Sequence, residues 1–170
     1  MASGNTFISW VGGQLKLLTA SLLGGAGNAN TIPQLNASGQ LDLTMMPNGI
    51  GPNTAVIAAS EAIAAGALVN VYTNAGAVAV RNADNSNTAK SANGFVLAAF
   101  ASAANATVYL TGQITGLTGL TPGATYYLGT VGTPILAANL PTTTGTLLQQ
   151  VGVALSATIL EFAPQAAVAQ

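Results

Sequence analysis

The chain has 170 residues, half of them hydrophobic and only 4% charged, with a net charge of −1 and neither cysteine nor histidine. Charged residues ordinarily make up about a quarter of a globular chain, so polarity here must come from Thr, Asn, Ser, Gln and the backbone. Disulfide and thiolate chemistry are excluded. Lys16, Arg81 and Lys90 are all the basic residues there are, too few and too scattered for a nucleic-acid-binding stripe. Such a weakly polar, nearly uncharged surface implies cover by copies of the chain or by a larger assembly.

At the N-terminus, "FISWVGGQLKLL" (7–18) places two apolar runs either side of Gly12-Gly13, which predicts a hairpin. Lys16 falls inside this apolar stretch with nothing basic before Phe7, so a secretory leader is not expected. Beyond it, "GGAGNAN" leads into a segment punctuated by Pro33, Pro47 and Pro52, with Asn48-Gly49 and Gly51 as turn signals. Residues 1–53 are read as an extended docking arm that carries the hairpin. Phe7, Trp10, Leu15, Leu17, Leu35, Leu41, Met45 and Met46 are its candidate interface side chains: tryptophan is enriched at interfaces, although Trp10 reads equally as a small core under the hairpin, and methionine fills irregular gaps.

The texture changes near residue 54. "TAVIAAS" predicts a strand, and "EAIAAG" a single helical turn or a loop leading into a strand. "ALVNVYT", the turn "NAG" and "AVAVRN" predict a second hairpin. "ADNSNTAKSANG" (83–94) reads as a polar loop and the most water-exposed part of the chain. "FVLAAF" and "ATVYLTG" read as strands. Thr121-Pro122-Gly123 suits a turn with proline second and glycine third. "TYYLG", "LLQQVGVAL" and "ATILEFA" complete the strands, and Tyr126-Tyr127 puts one ring on each sheet face. Short β-branched runs at roughly 8–12-residue spacing predict an all-β sandwich or barrel over 54–164, with 165–170 as a frayed or partner-bound tail. The most apolar window, "FVLAAFASAANATVYL", is interrupted by Asn105 and Thr107, so no membrane span of about 20 residues is expected.

Catalytic chemistry finds little material. Asp42, Glu61, Asp84 and Glu161 lie in four separate contexts with no histidine or cysteine beside them, which does not suit general acid–base work. "NADNSN" (82–87) has one carboxylate where a calcium loop needs several, so it reads as a polar turn. No metal, cofactor or catalytic residue is expected.

"GAGNANTIPQLNASGQLDLTMMPNGIG" (25–51), followed by "ASEAIAAGALVNVY" and later by "GQITGLTGLTPGATYYLG" and "LLQQVGVALSATILEF", resembles virion structural proteins of tailed bacteriophages. Among these the chain is most similar to capsid decoration proteins, also called cement or head-fibre proteins. The resemblance implies a non-enzymatic homotrimer, made in the host bacterial cytoplasm and seated on the capsid exterior. Its partners would be the major capsid protein and itself, with no nucleic acid or membrane. The alternative is a tail-fibre, collar or baseplate component, a host-binding module that would need an exposed aromatic platform from Tyr72, Tyr126 or Tyr127.

Overall fold

A computed structural model describes residues 6–29, 31–37, 39–46 and 53–170. The chain divides into two units, Met1–Gly51 and Pro52–Gln170. The turn signals at Pro47, Asn48-Gly49, Gly51 and Pro52 lie outside the described residues.

In the first unit, β1 (Thr6–Val11) and β2 (Gln14–Ser21) form the expected hairpin, longer at both ends than 7–18. Its two-residue turn is Gly12-Gly13, with φ of 62° and 80°. Positive φ at both positions is the type I′ geometry whose twist matches the flanking strands, and glycine adopts it without steric cost. A short β3 (Ile32–Pro33) runs parallel to the end of β2, and Gln34 N–H donates to the Ser21 carbonyl at 2.8 Å.

The described residues after the hairpin depart from the extended arm expected there. Gly24 N–H donates to Thr44 Oγ1 at 2.8 Å, across twenty positions of chain, and a side chain at Gly24 would strike the Thr44 carbonyl. Polar side chains make the turns that bring the chain back. Asp42 Oδ1 accepts from the Thr44 N–H and hydroxyl at 2.9 and 2.6 Å, and Asn36 Oδ1 accepts from Gln40 N–H at 3.0 Å. Such local side-chain bonds offer the backbone partners that no strand supplies here.

The second unit is all-β. Its first sheet contains β4 (Thr54–Ala58), β5 (Leu68–Asn74), β6 (Ala77–Asn82), β7 (Gly94–Phe95) and β8 (Asn105–Tyr109), in the order β4-β8-β7-β5-β6. Its second contains β9 (Gly112–Ile114), β10 (Thr125–Leu128) and β11 (Pro134–Leu136), followed, after β12 (Leu147–Leu148), by β13 (Gln150–Ala154) and β14 (Leu160–Phe162). The order there is β11-β10-β13-β14-β9, and β12 pairs with β15 (Val168–Ala169) as a separate ribbon. No sheet closes into a barrel, so that alternative is set aside. Among the described residues, helical structure is confined to three-residue 3-10 turns. Alanine is abundant, but the longest run free of glycine, asparagine and proline is 54–65, a length at which an isolated helix is marginal.

Alternation explains the core. In β10, Tyr126 and Leu128 point inward while Thr125 and Tyr127 are half-buried; in β14, Leu160 and Phe162 point inward around Glu161. These side chains meet Leu68 and Phe95 of the first sheet in one cluster with Ile114, Leu147 and Val151. Phe95 stacks on Tyr109 and meets Phe162 edge-on, each at 5.3 Å between centroids. The other face of the first sheet is buried too. Val69, Val80 and Val108 pack there under Ala59, Ile63 and Ala67. The "EAIAAG" segment is therefore a covering loop, tied down by bridges Ala59↔Val80 and Ile63↔Phe100. Its small side chains let the backbone lie close to the sheet.

Three further expectations are corrected. In "FVLAAF" only Phe95 belongs to a strand, since Val96–Phe100 turns to form the bridge with Ile63. The loop 83–94 is not the most exposed part: Ala83, Asn85 and Ala92 are buried. Their backbone explains it, because Asn85 N–H donates to the Gly129 carbonyl at 3.1 Å and Leu147 N–H to the Asn85 carbonyl at 2.7 Å. The loop thus stitches the two sheets together. The terminal residues do not fray, because Val168 pairs with Leu148 and Ala169 with Leu147. The Thr121-Pro122-Gly123 turn forms as expected, with Gly123 at φ 78° and Ala124 N–H donating to the Thr121 carbonyl at 3.1 Å.

Candidate docking surface

No residue of the first unit whose burial is described is buried. Of the eight candidate interface side chains, seven are exposed: Phe7, Trp10, Leu15, Leu17, Leu35, Leu41 and Met46. Met45, at the end of the 3-10 turn Leu43–Met45, is half-buried. Leu22, Leu23 and Ile8 are also exposed.

The hairpin sorts these residues by face. Its register sets Trp10 opposite Leu15 and Ile8 opposite Leu17. Directly opposed residues, and residues two apart on a strand, share a face. Ile8, Trp10, Leu15 and Leu17 therefore form one contiguous patch, each of them 67–73% exposed. Phe7 and Lys16 belong to the opposite face. Reading the sequence missed Ile8, although its signal was present: a hydrophobic residue two positions before Trp10 in a predicted strand must share its face. Leu35 and Leu41 stand on the folded-back segment, on either side of the Asn36–Gln40 turn. Asp42, the segment's one carboxylate, is held below its usual pKa range by the hydroxyl and N–H of Thr44.

The second unit offers less to a ligand. A shallow hollow of about 490 Å³ is lined by Ala62, Ile63, Ala99, Phe100 and Val131, with Asn82 as its polar residue. The Asn82 amide is already committed, donating to Glu61 Oε1 and the Ala62 carbonyl at 2.8 and 3.0 Å. Arg81 is committed as well. Its Nε donates to Asn70 Oδ1 and its Nη2 to the Ala89 carbonyl, both at 2.9 Å, and its guanidinium lies 3.9 Å from the Tyr72 ring centroid. Of the tyrosines that a glycan platform would use, Tyr126 is buried, and its hydroxyl accepts from Thr121 N–H at 2.9 Å.

The carboxylates serve local structure. Glu61 Oε1 accepts from the Asn82 backbone N–H at 2.8 Å. Asp84 Oδ1 accepts from the Ser86 N–H and hydroxyl at 2.9 and 2.7 Å, within the polar turn read from "NADNSN". Burial pushes the Asp84 carboxyl up, but the Ser86 hydroxyl and N–H, the Val131 N–H and Lys90 outweigh it and hold the group below its usual range. Among the described residues, no cluster of three or more potential ligands is placed to hold a metal, and no helix is long and apolar enough to cross a membrane.

No family model and no curated protein matches the chain. Among solved structures it is similar to the head fiber gp8.5 N base of bacteriophage phi29, with a TM-score of 0.44 and 11% sequence identity, over 65% of this chain and 92% of that one. A likeness that slight carries no function from one protein to the other.

Proposed function

We propose that the chain is a non-enzymatic virion structural protein of a tailed bacteriophage: a capsid decoration protein that binds the outer surface of the head and bridges its subunits. The observation that carries this reading is the first unit, where seven of eight candidate interface side chains are exposed in a chain that is only 4% charged. An apolar surface of this kind is stable in water only when something covers it. The resemblance of residues 25–51 and of the later β segments to capsid decoration proteins supplies the identity of the cover: the major capsid protein and neighbouring copies in a homotrimer. No cofactor takes part.

Magnitudes support a burial-driven attachment. If docking covers on the order of 1,500 Å² per protomer, half of it apolar, the gross gain is roughly 20 kcal/mol at ~25 cal/mol/Å². Lost rigid-body freedom and side-chain ordering offset much of this. Linking three docking units raises the effective concentration of each contact. Attachment through apolar surface is weakly sensitive to salt, because few ions are screened. Bridging neighbouring subunits would then resist the outward pressure of packaged DNA.

Removing residues 1–51 and mixing the remainder with undecorated heads tests the proposal. Binding is expected to vanish while the second unit keeps its β circular-dichroism spectrum. Saturation of heads by the truncated chain would refute the docking role.

A further inference from the structure

We propose that the hairpin face formed by Ile8, Trp10, Leu15 and Leu17 is the contact between copies of this chain, packed against the same face of its neighbours. This leaves Leu35, Leu41 and Met46 to meet the shell. The inference rests on the docking role above, but the contact between copies concerns the purified chain and is tested without a capsid.

Polarity favours a second copy as the occupant. The hairpin's one charged residue, Lys16, lies on the face opposite the patch, so packing patch against patch buries no ion and incurs no desolvation penalty for a charge. The patch likewise offers no charged group with which to select a foreign partner, whereas a copy of itself matches it in character and in extent. A net charge of −1 per chain sets little repulsion against association.

The area of the patch also suits a second copy. One tryptophan and three aliphatic side chains, each about two-thirds or more exposed, present on the order of 450 Å² per copy. Two such faces in contact remove about 900 Å² from water before any rim is counted, close to the roughly 1,000 Å² that a specific interface needs. A single hairpin is marginal in water by itself, and a second layer against its apolar face is what ordinarily stabilises it. In the proposed homotrimer the patch of each copy turns toward the threefold axis and meets the same patch of its two neighbours, so that three patches close one shared apolar core.

The test is the mass of the full-length chain in solution, read by light scattering during size-exclusion chromatography over a wide range of concentration. The wild type is expected to run at a multiple of 16.7 kDa. The double variant Ile8→Thr/Leu17→Thr, which keeps β-forming residues, is expected to fall to one copy. Leu35→Thr/Leu41→Thr is expected to stay assembled. Trp10 is the chain's one tryptophan, so its emission reports the same face in the unaltered protein: blue-shifted when assembled, red-shifted on dilution. A monomeric wild type overturns the proposal, as does an assembled Ile8→Thr/Leu17→Thr variant. A water-like Trp10 emission in an assembled wild type overturns it too, even if the double variant fails to fold. Loss of head binding by Leu35→Thr/Leu41→Thr with assembly intact supports the division of labour. Unchanged head binding by that variant refutes the shell-facing half alone.

Discussion

The two units use similar residues to opposite ends. In the second, leucine, valine and phenylalanine are interior: Leu68, Phe95, Ile114, Leu128, Val151 and Leu160 are all at most 1% exposed. In the first, the same kinds of side chain face outward, from Ile8 at 73% to Met46 at 37%. The difference lies in what each backbone can stack. The second unit has two five-stranded sheets, and so two faces to press together. The first has one small sheet of three strands, and among its described residues none buries the face that carries Ile8, Trp10, Leu15 and Leu17. An apolar face without a second layer is unfinished, and this is why we propose the first unit as the part that docks.

Substitutions can break or sharpen this contrast. The largest effect is expected from Phe95→Ala, which empties a ring that touches both Tyr109 and Phe162. Chemical denaturation of the second unit should show a loss of about 3–5 kcal/mol; a loss below 1 kcal/mol would mean that the shared core is not the source of its stability.

Next comes Gln149→Leu. The Gln149 side chain is buried. It accepts from Ala92 N–H at 2.7 Å and donates to the Ala92 carbonyl at 2.8 Å, acting as one rung of backbone pairing between the sheets. Leucine matches its bulk but leaves both Ala92 groups unpaired, at a cost of roughly 2–4 kcal/mol, measurable in the same denaturation experiment.

A smaller effect is expected at Asp84. Its folded pKa lies below the ordinary value of 3.8, so its contribution to stability is present above that value and is lost as pH falls through the lower folded pKa. Thermal melts from pH 6 down to pH 2 should therefore show a steeper acid loss in the wild type than in Asp84→Asn. Parallel curves would show that the Ser86 contacts do not favour the charged form.

The smallest effect is expected from Trp10→Thr on the unfolding of the second unit: less than about 0.5 kcal/mol, because Trp10 is 69% exposed and belongs to the other unit. A cost comparable to that of Phe95→Ala would dissolve the contrast between the units.

Much of this was legible in local chemistry. Gly12-Gly13 announced a tight hairpin because two successive positive-φ residues suit one turn type. The Thr121-Pro122-Gly123 turn followed from proline's fixed φ and glycine's freedom. Tyr126 and Tyr127 divided between faces because strand side chains alternate. Exposure of the first unit's leucines followed from their number in a segment with too few strands to bury them. The errors share one cause: burial of polar-looking loops is decided by distant partners. Nothing in "ADNSNTAKSANG" reveals that its backbone will bond to Gly129 and Leu147, and nothing in the final residues reveals a place beside Leu147-Leu148.

By itself, then, the amino-acid sequence determined the all-β character, the hairpin positions and the shortage of charge, because these depend on φ preferences, alternation and composition, which act over a few residues. Tertiary structure alone decided that both faces of the first sheet are covered, that Gln149 joins two sheets, and that Ala83, Asn85 and Ala92 are buried. Those outcomes depend on which strand pairs with which and in what register. Pairing energy is spread over contacts between residues far apart in the chain, and no local signal records it.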